Sequence, residues 1–220
     1  MCNMDAMLCR SRAVLSGVLA ALLTAAPAAA HGDGGQPTQP REHRPADTGK
    51  FLAGVAMGFA EHEAGHLFFD LLFDAHPYVK VVHFGPMPFF AIAHRSGLSP
   101  RREFVVSSAG FWTQEATSEW LLTRHPDLRH EHAPFAKGAL AFDLLTSIGY
   151  GVVAFAKAGP FERDTRGIAA SIGVDERAIG AIVITPAILD AYRYYNPDSR
   201  WTKWASRMVK VGSVLLVIRR

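Results

Sequence analysis

Residues 51–73 read Phe-Leu-Ala-Gly-Val-Ala-Met-Gly-Phe-Ala-Glu-His-Glu-Ala-Gly-His-Leu-Phe-Phe-Asp-Leu-Leu-Phe, and this stretch decides the predicted fold. It is apolar over most of its length and has no proline, which is typical of a buried or membrane-facing helix. Three ionisable side chains, His62, Glu63 and His66, lie within the five positions 62–66 in the middle of this stretch. Burying such groups is costly unless a metal or a charged partner accompanies them. The stretch therefore predicts a helix that carries a polar site inside an apolar bundle.

Residues 62–66, His-Glu-Ala-Gly-His, have the spacing of a metal site on a helix. Side chains four positions apart lie on one helix face, with Cβ atoms about 5–6 Å apart. His62 and His66 can therefore bind one zinc ion, and Glu63 can reach the water that the metal activates, as a general base. The alternative is an amphipathic helix whose polar stripe spells this pattern by chance.

Two further residues, one within this pattern and one after it, are also predicted to have roles. Gly65 is expected to keep the helix surface beside the metal free of a side chain. Asp70, one turn after His66, is expected to accept a hydrogen bond from an imidazole N–H, although it can equally be an ordinary exposed acid.

A catalytic zinc site needs a third protein ligand, and the sequence leaves its identity open. Asp190 is one candidate, because a carboxylate in an apolar helix needs a cation nearby; pairing with Arg193 or Lys203 is the alternative. Glu115 and Glu119, one helical turn apart, are the other candidates, and their alternative is a plain polar helix face.

The first thirty residues predict a signal peptide. Arg10 and Arg12 precede an apolar run over residues 13–25, and small residues at 28–30 suggest cleavage after Ala30. An uncleaved anchor is the alternative. Both cysteines of the chain, at positions 2 and 9, lie in the removed part, so any metal must be held by histidine and carboxylate.

The remainder is predicted to be a flexible linker over residues 31–50 and one helical domain over residues 51–220. The linker is rich in glycine, proline and charge. The net charge of +3 forms no basic run, so nucleic-acid binding is not expected.

The fold class is predicted to be mainly α, a multi-helix bundle with a small β-hairpin after the histidine-bearing helix. Two short strands are expected over residues 78–84 and 89–94, around Gly85 and Pro86. Helices are expected over 51–75, 104–123, 136–158, 177–195 and 203–218. Three of them approach the length of a membrane span, which favours a membrane-embedded bundle over a soluble exported domain.

The order of these features resembles the site-two proteases, which are zinc metallopeptidases that work within membranes. The matching elements are the His-Glu-Ala-Gly-His helix, the hairpin with Phe84-Gly85-Pro86, and the segments Ser108–Gln114 and Pro186–Asp190. The last two are similar to that family's Ala-Gly-Pro-x-x-Asn and Pro-x-x-Leu-Asp-Gly segments. The resemblance implies that His62, His66 and Asp190 are the metal ligands and that Glu63 is the base.

This reading implies a zinc-dependent metallopeptidase that hydrolyses a peptide bond in or near a membrane. Its partners would be a peptide or membrane-protein substrate and the lipid bilayer. It would be located in the bacterial inner membrane with an exported N-terminus. One alternative is a soluble periplasmic enzyme resembling the gluzincins, with Glu115 or Glu119 as third ligand. Another is a non-catalytic membrane protein with a structural metal or none.

Overall fold

The computed structural model describes residues 45–84, 87–95 and 97–218. This part contains six helices and one two-stranded sheet. In chain order they are α1 (Pro45–Leu72), β1 (Tyr78–Phe84), β2 (Met87–Ala93), α2 (Pro100–Arg124), α3 (Pro134–Ala156), α4 (Asp164–Ile172), α5 (Glu176–Tyr195) and α6 (Arg200–Ile218). The predicted mainly helical bundle with a hairpin after the first helix is confirmed.

The predicted signal peptide and linker are only partly covered by the described residues. The predicted signal peptide and residues 31–44 of the predicted linker lie outside the described residues. Helix α1 begins at Pro45, so the helical domain starts before residue 50, where the linker was predicted to end. Helix α4 was not predicted at all.

The bundle is built around α3. Helix α1 packs against one side of α3 and helix α5 against another, while α2 lies against α1 and α4. Helix α6 packs mainly on α5. One apolar cluster joins the end of α2 to the start of α3, and a second joins Phe111 of α2 to Ile168 of α4 and Ile179 of α5.

Local sequence explains where the helices begin and end. Ser99 caps α2 by accepting a hydrogen bond from the Arg102 amide, and Pro100 stands at the first helical position, where no amide is needed. Asp175 caps α5 through the Arg177 amide. Gly173 ends α4 at a φ of 69°, a left-handed conformation that glycine adopts without steric cost.

Glycines let α1 and α3 approach each other closely. A Cβ atom on Gly54 would collide with the Phe135 carbonyl oxygen, and one on Gly138 would collide with the Phe51 carbonyl oxygen. Backbone-to-backbone packing through small residues is common where helices meet inside membranes.

Among the described residues, only α3 is both long and apolar enough to cross a membrane by length and composition. The outer surface of the bundle is nevertheless rich in large apolar side chains. Members that are more than half exposed include Leu52, Met57, Phe68, Leu71 and Leu72 of α1, Trp120 of α2, Ile188, Tyr192 and Tyr195 of α5, and Trp201, Trp204, Met208 and Val211 of α6.

The hairpin pairs β1 and β2 antiparallel, with Tyr78 opposite Ala93 and Phe84 opposite Met87. The predicted strands are therefore confirmed. Strand β2 lies against α1, and the segment after it is tied back to the end of α1 by the Arg95 amide, which donates to the Ala75 carbonyl.

Candidate metal centre

Two histidines of α1 and one aspartate of α4 converge on one point. The Nε2 atoms of His62 and His66 lie 3.2 Å apart. The Oδ2 atom of Asp164 lies 3.2 Å from the His62 Nε2 atom and 3.5 Å from the His66 Nε2 atom. Both histidines are buried, with exposed fractions of 3% and 6%. Among the described residues, this is the one group of three or more histidine, cysteine or acidic side chains that could hold a metal.

Each histidine ring makes a hydrogen bond through its Nδ1 atom, and this bond determines which ring nitrogen is free to bind a metal. His66 Nδ1 lies 2.8 Å from the Val106 carbonyl oxygen. A carbonyl only accepts, so Nδ1 carries the hydrogen and Nε2 of the neutral ring presents a lone pair. His62 Nδ1 lies 3.0 Å from Gln114 Oε1 and has the same arrangement. The two Nε2 atoms and a carboxylate oxygen thus face one another. A protonated ring donates its Nε2–H to this carboxylate, and a bound metal would take the place of that proton.

Helix α2 leaves space for the His62 ring. A Cβ atom on Gly110 would collide with three atoms of that ring, so the glycine is required for the close approach of α2. Phe111 packs edge-on against His62 at a centroid distance of 5.7 Å, Tyr150 of α3 stacks on His62 at 6.1 Å, and the Phe111 and Tyr150 rings contact each other. Gly65, which was predicted to leave space beside the metal, instead packs against the Ala109 carbonyl.

Asp164 is held in place by the junction of α4 and α5. Its neighbour Arg163 donates two hydrogen bonds of 2.6 Å to the Glu176 carboxylate, and Thr165 donates a third to the same group at 2.8 Å. Tyr150 also interacts with the Asp164 carboxylate. Burial would raise the pKa of Asp164, but the nearby imidazoles of His66 and His62 hold it well below its usual range. The ligand set therefore includes an ionised carboxylate.

Glu63 lies beside this centre and contacts the hairpin. Its Oε2 atom accepts a hydrogen bond of 3.2 Å from the Ile92 amide of β2. The carboxylate is close enough to His62, His66 and Asp164 to interact with their charges. A second link, between Lys80 of β1 and Glu162, joins the hairpin to the segment that precedes Asp164.

The structure places Asp190 away from the two histidines, which corrects its prediction as the third ligand. Its Oδ2 atom lies 2.6 Å from the Lys210 ammonium and accepts a hydrogen bond of 2.8 Å from Ser118. Its Oδ1 atom accepts one of 2.5 Å from Ser206. Asp190 is 1% exposed, so the reasoning that a buried acid needs a cation was sound, but that cation is a lysine of α6.

The alternative third ligands are also engaged elsewhere. Glu115 accepts a hydrogen bond from Ser213 at 2.7 Å. Glu119 forms ion pairs with Arg193 and Arg207, each at 2.8 Å, and a longer one with Lys210. These contacts give no support to a gluzincin-like site.

Asp70 does not accept from a metal-ligating histidine as predicted. It is fully buried and lies 3.2 Å from His94 Nδ1, while Glu103 lies 2.9 Å from His94 Nε2. These two carboxylates raise the pKa of His94 to about 10. A charged His94 therefore ties the end of the hairpin to both α1 and α2.

Asp164 is the residue that the sequence reasoning missed. Helix α4 has nine residues, which is too short for a clear periodic pattern. The available signal was an acid in the first turn after Gly159 and Pro160, two residues that break a helix. That signal marks the start of a helix, but it cannot say what the acid faces.

Comparison of the chain with protein-family models, with curated proteins and with solved structures finds no match.

Proposed function

We propose that this protein is a zinc-dependent peptidase in which His62, His66 and Asp164 hold the metal and Glu63 is the general base. The observation that carries the proposal is the convergence of two Nε2 atoms and one carboxylate oxygen, with a further carboxylate beside them. Two histidines and one acid leave a fourth position open, as in catalytic zinc sites.

The donor chemistry suits zinc. Imidazole nitrogen and carboxylate oxygen both bind Zn²⁺, and each ring already donates its other N–H, which fixes the tautomer and orientation that a ligand needs. When bound, zinc would supply a Lewis acid that polarises a carbonyl and lowers the pKa of water to about 7.

The residues of the chain would do the rest of the chemistry. Glu63 would accept a proton from the attacking water and deliver it to the leaving amine. The Ile92 amide would orient the Glu63 carboxylate by the hydrogen bond already present. The hairpin would bring an extended peptide beside this carboxylate by pairing with it as an added strand. Phe111 and Tyr150, which flank the His62 ring, would limit access of bulk water.

We further propose that the bundle works in a membrane, with the site facing the interior. The support is the apolar outer surface of α1, α5 and α6 together with the apolar helix α3. Contiguous exposed apolar surface on this scale marks a membrane or partner interface. Aromatic side chains at the α5–α6 junction, such as Trp201 and Trp204, are typical of the membrane–water boundary.

Metal content and proteolysis test the enzymatic proposal together. The protein purified without chelator should contain zinc near stoichiometry by plasma mass spectrometry, and His66→Ala should lose it. Glu63→Gln should keep the zinc but lose at least about 100-fold of the hydrolysis of a labelled casein probe. Glu61→Gln, two positions earlier on the same helix, is the matched control and should keep both properties.

Terminal proteomics of membranes from producing cells extends this test to natural substrates. New peptide N-termini should depend on wild-type protein and be absent with Glu63→Gln. If Glu63→Gln behaves as wild type in both assays while zinc is bound, the metal is structural and the peptidase proposal is wrong. Carbonate washing of membranes tests location: release of the intact protein would exclude an integral membrane bundle.

A further inference from the structure

A second feature of the described bundle includes Phe111 in its lining but not His62. It is a cleft of about 450 Å³ between α2, α4, α5 and the end of α6, a size typical of small-molecule sites. Its floor is the second apolar cluster, and its lining includes Phe104, Phe111, Ile168, Ile179, Ile182 and Val183.

The cleft is long and has ionisable side chains at its two ends. On α2 its lining runs from Pro100 to Glu115, and that stretch of helix is about 22 Å long at 1.5 Å per residue. The length is comparable to the ~15 Å that one leaflet contributes to a bilayer core. Arg101, exposed at the first turn of α2, marks one end. Within the described residues no carboxylate pairs with Arg101. Glu115 and its hydrogen bond to Ser213 mark the other end.

The polar groups of the lining are too few for a peptide. The Glu115 carboxylate and the Ser213 hydroxyl bond to each other, and Ser171 donates to the Ile168 carbonyl. Apart from Arg101, that leaves only the Ser108 hydroxyl and the Trp112 indole N–H for a ligand. A peptide in the cleft would leave its own backbone N–H and C=O groups without partners, which is costly. An acyl chain brings no such groups.

We propose that this cleft binds one acyl chain of an anionic phospholipid, with the phosphate at Arg101. Arg101 and the positive end of α2 favour an anion at that end. At the other end, Glu115 and Ser213 are bonded to each other, and an acid paired with a hydroxyl offers nothing that attracts a phosphate. Exposed Val174 and Ile182 at the rim would face the lipid from which the chain enters. This site is separate from the metal centre and does not depend on peptidase activity.

Native mass spectrometry of the full chain in detergent, titrated with phosphatidylglycerol or phosphatidylcholine, tests the proposal. Wild type should bind one phosphatidylglycerol and prefer it over phosphatidylcholine about fivefold, as expected for one basic residue at a headgroup. Ala178→Phe, which fills the cleft, should weaken binding at least about tenfold. Ala181→Phe, on the same helix but outside the cleft, should bind as wild type.

Arg101→Ala should lose the preference for phosphatidylglycerol while still binding lipid, and Arg124→Ala at the far end of α2 should keep that preference. Ser171→Phe fills the cleft from α4 and replaces Ala178→Phe if that variant melts below wild type. Arg101 is exposed, so replacing it should not disturb folding. The Arg101→Ala variant therefore tests the proposal even if both cleft-filling variants misfold. Equal binding by wild type and a folded filled variant, or equal preference in wild type and Arg101→Ala, would overturn the proposal.

Discussion

Asp164 and Asp190 lie in two buried polar clusters that meet the same electrostatic need in different ways. Asp190 is neutralised inside the chain, by the Lys210 ammonium and two serine hydroxyls. Asp164 faces the Nε2 atoms of two imidazoles, whose Nδ1 hydrogens point towards Gln114 and Val106. The first cluster is complete, whereas the second consists of groups that can all accept a cation. This difference identifies the acid that can bind a metal.

The largest expected effect is on bound zinc, when each of the two aspartates is replaced separately. Asp164→Ala removes a ligand and should lose bound zinc and hydrolysis together, because two imidazoles alone hold zinc weakly. Asp190→Asn should retain zinc near stoichiometry. Plasma mass spectrometry on both purified variants measures this. Zinc loss only in Asp190→Asn would restore the prediction made from sequence.

The next effect is on stability. It should arise in the Asp190 cluster and leave zinc binding at the Asp164 cluster unchanged. Lys210→Met leaves the Asp190 carboxylate buried without its cation, which costs about 3 to 5 kcal/mol of unfolding free energy. Thermal melting in detergent should show a lower melting temperature with zinc content per folded molecule unchanged. Lys203→Met, in the same helix and outside this cluster, is the control. A Lys210→Met variant as stable as wild type would show that Asp190 does not depend on this ion pair.

A smaller effect is expected from Gly110→Ala, which adds a methyl group where the His62 ring lies. The ring must shift, and zinc affinity should fall about 10- to 100-fold, as for changes that misorient a ligand. Gly149→Ala, at a helical position where an added Cβ meets nothing within 4 Å, is the matched control. Competition with a chromogenic chelator measures both affinities. Equal affinities would mean that the His62 position is not needed for zinc.

Gln114→Leu should lower zinc affinity by a comparable or smaller factor, because it removes the acceptor that orients His62. Gln114→Glu keeps an acceptor and should retain most of the affinity. If the two variants bind zinc equally, the His62–Gln114 hydrogen bond has no role in holding the metal.

The last prediction concerns pH and His94, where the chain again provides its own cation. Because the pKa of His94 is raised to about 10, its contribution to stability is complete below the unfolded value near 6.5 and is lost as pH rises through 10. Wild type should therefore melt above His94→Gln at about pH 6, and the gap should close by about pH 10.5. A gap independent of pH would mean that His94 acts without its charge.

The sequence by itself determined much of the local structure. Helical spacing placed His62 and His66 on one face with Glu63 beside them, since i and i+4 positions coincide on any helix. The β-branched run and the Gly85-Pro86 pair predicted the hairpin, whose strands are present. Helix ends differ from prediction by a few residues, for instance at Pro100, where a capping serine and proline start α2 earlier than its apolar pattern suggests.

Tertiary structure alone decided which acid joins the histidines. Asp164, Asp190, Glu115 and Glu119 have similar chemistry, and their roles depend on which cations fold against them. Lys210 and Arg207 of α6 reach Asp190 and Glu119, whereas no lysine or arginine reaches Asp164 within the described residues. That outcome depends on how α4 and α6 pack against α2 and α5, over separations in sequence at which local patterns carry no information.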